Sequence, residues 1–296
     1  MKPVDILRSL GGAARASQLK ARGLTPFLIE KSLARGDVLR ASRGVYALAH
    51  AHPEVVRAVQ LGAAFTCISA LARHGLPVPR TPLAPHLAVA RNFHAAAHEL
   101  GGARLHYQSR RPEPGATAEV AAALDAAGDC LDEEWHLAAV DAALNRGVIL
   151  LGDVAGFTRT SRERREFLLA FADARAEAPG ETIARVRLAR AGFSVRPQAY
   201  VEGAGRVDLE VDGLLILQVD GYEPHSSKRA FVRDRRGSRA VIRAGRPQLS
   251  YAASELLGEY SPDLVGEVRD ALNSWRARDL GAIRPSGQRV LRISRD

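Results

Sequence analysis

The sequence predicts a multidomain protein that combines α+β and α/β architecture, and three observations support this. The chain has 296 residues, 46% of them apolar and 25% charged, a globular composition long enough for two or three domains. Short amphipathic segments separated by glycine and proline fill its first half. Beyond residue 181, one helix precedes alternating and then continuous apolar runs, which are typical of a mixed sheet flanked by helices. We therefore predict domains at residues 1–50, 51–160 and 161–296.

The sequence has no pattern typical of a membrane or secreted protein. No apolar run reaches the roughly 18 residues of a membrane span, and the N-terminus lacks the apolar core of a signal peptide. Cys67 and Cys130 have no second Cys or His at metal-ligand spacing, so we interpret them as two buried thiols in a reducing compartment. We expect a cytoplasmic protein with no membrane partner.

The net charge of +9 is concentrated in two blocks. Residues 1–46 hold nine Lys and Arg against three acidic residues, and residues 226–246 hold eight against Asp234 alone. Residues 112–142 instead hold eight acidic residues and no Lys or Arg. This asymmetry predicts two surfaces for a polyanion such as nucleic acid. Because only four of the 42 cations are Lys, a genome whose base composition favours Arg codons is the alternative explanation.

The N-terminal region predicts a winged helix-turn-helix. Thr25 and Pro26 suit the N-cap and first turn of a third helix, and Ser17 can cap the second. The third helix would enter the major groove of DNA, and the basic hairpin after it would touch phosphate or the minor groove. The predicted elements are the helices 3–10, 17–23 and 27–35 and the strands 38–40 and 44–48. The predicted DNA contacts are Lys31 and Arg35 on the helix and Arg40 and Arg43 in the hairpin.

Two stretches of this region resemble the N-terminal domain of AbiEi-family antitoxins. They are Gly-Gly-Ala-Ala-Arg-Ala-Ser-Gln-Leu-Lys-Ala-Arg-Gly-Leu-Thr at residues 11–25 and Arg-Gly-Val-Tyr-Ala-Leu at 43–48. Ser-Ala-Leu-Ala-Arg-His-Gly-Leu at 69–76 is similar to the next segment of that family. The resemblance implies a DNA-binding head on an antitoxin-like α/β middle domain, and it leaves a toxin partner and self-association open. The elements predicted there are the helices 55–64, 69–75, 120–127 and 134–146 and the strands 86–90 and 104–107.

The most informative pattern begins at residue 181. A helix over Glu181–Ala191 precedes a strand around 195–199, and Arg206–Val211 then alternates as a second strand. Leu214–Gly221 is an almost continuous apolar run, so we predict a central strand that ends with Gln218 and Asp220. A basic helix follows over 227–243.

These landmarks resemble the PD-(D/E)XK nuclease superfamily, most closely its very-short-patch-repair-like branch. The matching positions are Glu181, Arg206-Val207-Asp208, Gln218-Val219-Asp220-Gly221, His225 and Asp234-Arg235-Arg236. The resemblance implies a restriction-endonuclease-like domain with a mixed sheet flanked by helices. It implies a catalytic set of Glu181, Asp208, Gln218, Asp220 and His225, and phosphate contacts from Lys228, Arg229, Arg235 and Arg236.

Phosphodiester hydrolysis requires chemistry that these residue types can supply. A divalent cation polarises the phosphate and activates water, and Mg²⁺ or Mn²⁺ prefers oxygen ligands. Asp208 would be the main metal ligand, with Gln218 beside it. Glu181 would bind the metal through water or orient the nucleophile. His225 would protonate the leaving oxygen or hold the scissile phosphate.

One departure from the family leaves the function open. Gln218 stands where the family has glutamate, and Asp220 stands where a lysine is expected. The first hypothesis is a metal-dependent DNA endonuclease that nicks or cleaves. The alternative is a non-catalytic, antitoxin-like transcriptional regulator with a degenerate nuclease fold, and a nuclease acting on RNA is a weaker third.

The turn between the two central strands decides whether a shared site can form. A two-residue loop at Asp212-Gly213 would put Asp208 and Gln218 on opposite faces of the sheet. A three-residue turn, Asp212-Gly213-Leu214, or a bulge would bring them together. We predict the second arrangement, with Asp208, Gln218 and Asp220 on one face and Glu181 within reach of the same metal.

Overall fold

The computed structural model describes residues 2–96, 100–221, 228–258 and 262–282, with the backbone alone at 228–234 and 279–282. Over these ranges the chain is a mixed α/β protein of thirteen helices and ten strands in three small sheets. It divides into two compact units, Met1–Glu177 and Ala178–Asp296. None of the helices described is long and apolar enough to cross a membrane.

The first unit contains two three-stranded sheets and nine helices within the described ranges. Its helices are α1 (Pro3–Ser9), α2 (Ala16–Ala21), α3 (Pro26–Ala34), α4 (Pro53–Leu61), α5 (Cys67–Arg73), α6 (Val120–Ala127), α7 (Glu133–Asn145), α8 (Leu151–Ala155) and α9 (Arg162–Phe171). Its strands are β1 (Ala13–Arg15), β2 (Leu39–Ser42), β3 (Val45–Ala47), β4 (Ala64–Phe65), β5 (His86–Ala90) and β6 (Arg104–Gln108).

The first 48 residues form three helices against an antiparallel sheet of order β1-β3-β2. The helix predicted at 27–35 is α3, and the Thr25 hydroxyl accepts the Leu28 N–H at 3.4 Å as expected of its N-cap. The cap predicted at Ser17 is wrong. Helix α2 begins one residue earlier, and the Arg15 N–H donates instead to the Gln18 side chain at 2.9 Å.

The second sheet has the order β4-β5-β6, with β5 parallel to β6. Phe65 and Leu87 of this sheet lie in one apolar cluster with Val59 of α4 and with Val45 of β3. The core therefore continues from the N-terminal region into the middle region. Helices α6 and α7 follow this sheet in sequence and bury mostly alanine and leucine.

The second unit is built on a four-stranded mixed sheet of order β10-β9-β8-β7. Strands β7, β8 and β9 form an antiparallel meander, and β10 is parallel to β9. Its helices are α10 (Pro179–Arg190), α11 (Lys228–Arg243), α12 (Ala253–Leu257) and α13 (Leu264–Ala282), and its strands are β7 (Val195–Val201), β8 (Gly205–Val211), β9 (Leu215–Asp220) and β10 (Gln248–Ala252).

Two apolar clusters cover the two faces of this sheet. Leu217 of β9 packs with Leu188 of α10 and Val268 of α13 on one face. Ile216, the preceding residue, packs with Val241 of α11 on the other. Because neighbouring strand residues point to opposite faces, α10 and α11 lie on opposite sides of the sheet.

Candidate functional site

The exposed side of α3 presents an aromatic ring beside a cation. Phe27 is 71% exposed, and Lys31 lies one helical turn further on, so both project from the same side of the helix. The Lys31 side chain makes no ion pair within the part of the chain that the structure describes. Sequence reasoning selected Lys31 and missed Phe27, whose exposure becomes visible only once the core of the three helices is known.

Two of the other predicted DNA contacts are held by nearby acids. Arg35 pairs with Asp37 at 2.8 Å, and Arg40 of β2 pairs with Glu30 of α3 at 2.8 Å. Arg43 lies exposed in the β2–β3 turn, and no ion pair is found for it among the described residues. Exposed ion pairs of this kind are weak, so a phosphate group can displace the acidic partner. Each pair nevertheless reduces the net positive charge that this surface presents to DNA.

The turn between β8 and β9 has the three-residue form that a shared site needs. Leu209 pairs with Leu217 and Val211 with Leu215, and the Leu214 N–H donates to the Val211 carbonyl at 3.0 Å. Gly213 takes a φ of +67° there, which suits a residue without Cβ. The predicted register is confirmed from Val211 to Leu209, and the recorded pairs end there, one residue before Asp208 and Gln218.

The regular alternation of β8 breaks at Asp208. Val207 packs on the α11 face, while Leu209 packs on the α10 face. In a regular strand, residues two apart would share one face. The Asp208 carboxylate turns toward β9 and accepts the Val219 N–H at 2.7 Å. Gln218 and Asp220 share one face of β9 by alternation. The Asp208 carboxylate is instead directed at the β9 backbone.

Strand β7 breaks at the matching position. Gln198 lies between Pro197 and Ala199 with a φ of +52°, a conformation that costs energy for any residue with a Cβ. Its side-chain amide donates to the Glu181 carboxylate at 3.0 Å. Gln198 is thus a further polar residue at this end of the sheet, and the sequence signalled it only as a polar residue within a strand.

A glycine lets Glu181 approach β9. A Cβ on Gly180 would lie 2.8 Å from a methyl carbon of Val219, so the first turn of α10 fits against β9 only without a side chain there. The Glu181 side chain is buried, and it lies in the helix turn that packs against the sheet containing Asp208 of β8 and Gln218 of β9. We call Glu181, Gln198, Asp208, Gln218 and Asp220 the strand-break cluster.

The strand-break cluster offers the hard oxygen donors that Mg²⁺ prefers. Its carboxylates do not meet closely: among the described residues, Glu181, Asp208 and Asp220 form no group with all ligand atoms within 4.8 Å of one another. Direct coordination of one ion by all three of these described carboxylates is therefore excluded in this arrangement, and binding of Glu181 to the metal through a bridging water remains a prediction. The cause is local, because Val219 and Gln198 hold Asp208 and Glu181 in separate hydrogen bonds.

The remaining predicted residues lie on or before α11. His225 lies outside the described residues. The backbone places Lys228 and Arg229 in the first turn of α11, and Arg235 and Arg236 are exposed further along it. The roles predicted for these side chains remain predictions.

The structure brings together four side chains that sequence spacing did not connect. Cys67, His86, His106 and Cys130 place one ligand atom each within 4.8 Å of the others. The interpretation of two unrelated buried thiols is therefore wrong. The hydrogen bond from the Cys67 thiol lowers the pKa of Cys130, and that bond with burial raises the pKa of Cys67. Because the four come from different elements, no local motif could reveal them.

Comparison with known proteins adds no family to these observations. A scan of the chain against protein-family models finds no match, and a search of curated proteins finds no matching relative.

Proposed function

We propose that the chain is a DNA-binding protein whose second unit is a metal-dependent endonuclease of restriction-endonuclease-like type. The observation that carries the proposal is that the β8–β9 ladder ends at Leu209 and Leu217, and that the Asp208 carboxylate then bonds to the N–H of Val219, the residue after Gln218. Glu181 lies in the N-terminal turn of α10. Paired oxygen donors on neighbouring strands are what a phosphodiester-cleaving metal site needs.

The surrounding fold supports this proposal. A mixed four-stranded sheet with α10 on one face and α11 on the other fits the architecture implied by the resemblance to the PD-(D/E)XK superfamily. The positive φ of Gln198 in β7, at the position that matches the break in β8, also supports it, because strained backbone collects at functional sites.

Each residue of the strand-break cluster has a role in this proposal. Asp208 and Gln218 would hold Mg²⁺ or Mn²⁺, with water filling the other positions, since Mg²⁺ keeps several waters in protein sites. The bound ion would polarise the phosphate and lower the pKa of a bound water. Glu181 would orient the attacking water, and exposed Asp220 would add negative charge beside the metal ligands.

The N-terminal region would supply the DNA contacts outside the reaction centre. Its order of α1, β1, α2, α3, β2 and β3, with one small antiparallel sheet, fits the winged helix-turn-helix interpretation. Lys31 would contact phosphate or a base edge from α3, and Phe27 beside it suits an apolar contact with a thymine methyl. Arg43 at the tip of the hairpin would contact phosphate.

Specific observations favour a second candidate, a non-catalytic DNA-binding regulator. Gln218 supplies no charge to a metal, and the carboxylates of Asp208 and Glu181 are engaged by Val219 and Gln198. A domain of this kind would keep the fold and the basic surface while lacking the charge that holds the ion.

Incubation with supercoiled plasmid and Mg²⁺ or Mn²⁺ tests the choice. We expect nicking or cleavage that Asp208→Ala abolishes with little change in DNA affinity, because Asp208 contacts the metal and not the duplex. Gln218→Glu should keep or raise activity, since it adds a charged ligand of the same length. Glu202→Ala, at an exposed carboxylate between β7 and β8, is the matched control and should cut like the wild type.

The possible results separate the candidates. Cleavage that persists in Asp208→Ala and in excess chelator would remove the strand-break cluster from consideration. DNA binding without cleavage, in the wild type and in Gln218→Glu alike, would establish the regulator instead.

A further inference from the structure

We propose that Cys67, His86, His106 and Cys130 form a structural zinc site in the first unit, which we call the Cys–His cluster. The site is separate from the strand-break cluster in residues, in ligand chemistry and in compact unit. It does not depend on the proposed nuclease activity.

The distances within the Cys–His cluster fit a tetrahedral ion. His86 Nδ1 lies 3.2 Å from His106 Nε2, and Cys130 Sγ lies 3.9 Å from that same Nε2. With usual Zn–N and Zn–S bonds, a tetrahedron has N–N edges of about 3.3 Å and N–S edges of about 3.6 Å. Both of these distances lie within a few tenths of an ångström of the tetrahedral edges, and every other pair of ligand atoms in the cluster lies within 4.8 Å.

The backbone places the two imidazoles on one side of the sheet. His86 pairs with Arg104 in the parallel β5–β6 ladder, and His106 lies two residues beyond Arg104. Residues two apart along a strand project from the same face, so both rings face the same side as diagonal neighbours. Each ring is more than nine-tenths buried.

Cys67 reaches the Cys–His cluster through a strained backbone. It opens helix α5 with a φ of +52° and is fully buried. A residue with a Cβ rarely takes this conformation unless its surroundings require it. Delivery of Sγ to a shared ion accounts for such a conformation.

The charge and softness of the four ligands favour Zn²⁺. Two thiolates and two neutral imidazoles carry a formal charge of −2, which neutralises a divalent cation and suits a buried site where unpaired charge is costly. Sulfur and imidazole donors favour Zn²⁺ over Mg²⁺, which prefers oxygen. Four protein ligands complete the tetrahedron and leave no position for a reacting water, so the role is structural.

The Cys–His cluster would join four separate parts of the first unit. Cys67 begins α5, His86 begins β5, His106 lies within β6, and Cys130 lies between α6 and α7. An ion held by all four would fasten these parts together and add its binding free energy to folding.

Metal analysis of the untagged full-length chain tests the proposal directly. We expect one zinc per chain by mass spectrometry of the purified protein. After the zinc is removed under reducing conditions, Co²⁺ should give the thiolate charge-transfer band and intense visible bands of tetrahedral cobalt. Zn²⁺ should then displace the cobalt and abolish those bands.

Matched variants locate the site. Cys130→Ser and His106→Gln should lose zinc and melt at lower temperature, while His94→Ala, at an exposed histidine outside the cluster, should keep both the metal and the melting temperature. Asp208→Ala should also keep the zinc, because Asp208 is not part of the Cys–His cluster. Zinc content therefore tests this proposal independently of the nuclease activity. If the cluster variants do not fold, the cobalt spectrum of the wild type decides.

Two outcomes would overturn the proposal. One is a reduced wild-type chain that neither carries zinc nor gives a tetrahedral cobalt spectrum. The other is a Cys67–Cys130 disulfide in the protein as purified, shown by its mass before and after reduction.

Discussion

His136 is a buried histidine with a structural role that its sequence context did not reveal. It is fully buried in α7, and its Nε2 donates to the Leu124 carbonyl at 3.0 Å. The ring stacks on Phe157 with centroids 6.5 Å apart. Burial, together with the nearby Arg164 charge, lowers the pKa of His136 to about 4. The folded chain therefore holds this imidazole neutral.

This burial predicts acid destabilisation of the first unit. The folded-state pKa lies below the unfolded value of about 6.5, so the stabilisation is complete above pH 6.5 and is lost as the pH falls toward 4. The loss for one group is at most about 3 kcal/mol. Urea unfolding of the wild type and of His136→Gln between pH 7 and pH 4 measures it.

The comparison isolates His136, because every other residue is the same in the two proteins. We expect the wild type to lose its advantage over the variant progressively below pH 6.5. Parallel curves for the two proteins across this range would show that His136 is not the titrating group.

Strand patterns predicted which residues lie close together better than sequence spacing did. Asp208 and Gln218 were expected to be opposite each other because strand parity and a glycine-containing turn leave few choices. Cys67 and Cys130 were not expected to meet, because their proximity depends on sheet pairing between segments far apart in sequence. The role of Gln198 was also not predicted, because no local sequence pattern indicates a positive φ at a glutamine.

At the scale of elements, Gly180 determines how closely α10 packs on β9. Gly180→Ala would place a Cβ 2.8 Å from Val219. We expect it to destabilise the protein by about 1–3 kcal/mol, because either the helix or the strand must shift. The shift should also weaken any activity that depends on Glu181, the next residue of α10.

Gly152 of α8 supplies a matched control. A Cβ there meets nothing within 4 Å, so Gly152→Ala should be neutral or stabilise by up to about 1 kcal/mol through helix propensity. Chemical denaturation of both variants measures the contrast. Equal effects would mean that the contact between α10 and β9 is looser than described.

Elements with strong periodicity or clear ends were predicted well. The helix Val120–Ala127 and the strand His86–Ala90 match their predicted bounds, and both are runs of mostly apolar residues. Strands β1 and β4 were missed because two or three residues carry no periodicity, and they exist only by pairing with β3 and β5. The carboxylate separation at Asp208 was missed because a single side-chain hydrogen bond decides it.

At the scale of the whole molecule, the two basic blocks belong to different compact units. Residues 1–46 lie in the first unit and residues 226–246 in the second, and each unit has its own apolar clusters. The sequence predicted this separation of charge from composition alone. If both surfaces contact DNA, as the proposed function requires, each should contribute its own share of the salt dependence of binding.

The two contributions should add. Replacing Lys31 and Arg43 with Ala, or Arg235 and Arg236 with Ala, should each make the slope of log K against log salt concentration shallower by about 1–2 units, since about 0.9 unit is lost per phosphate contact. Because the two pairs lie in separate units, the quadruple variant should lose the sum of both. Fluorescence anisotropy of a labelled duplex at several salt concentrations measures all four slopes. A pair whose removal leaves the slope unchanged does not contact phosphate, and a quadruple loss smaller than the sum would show that the two surfaces share the same phosphates.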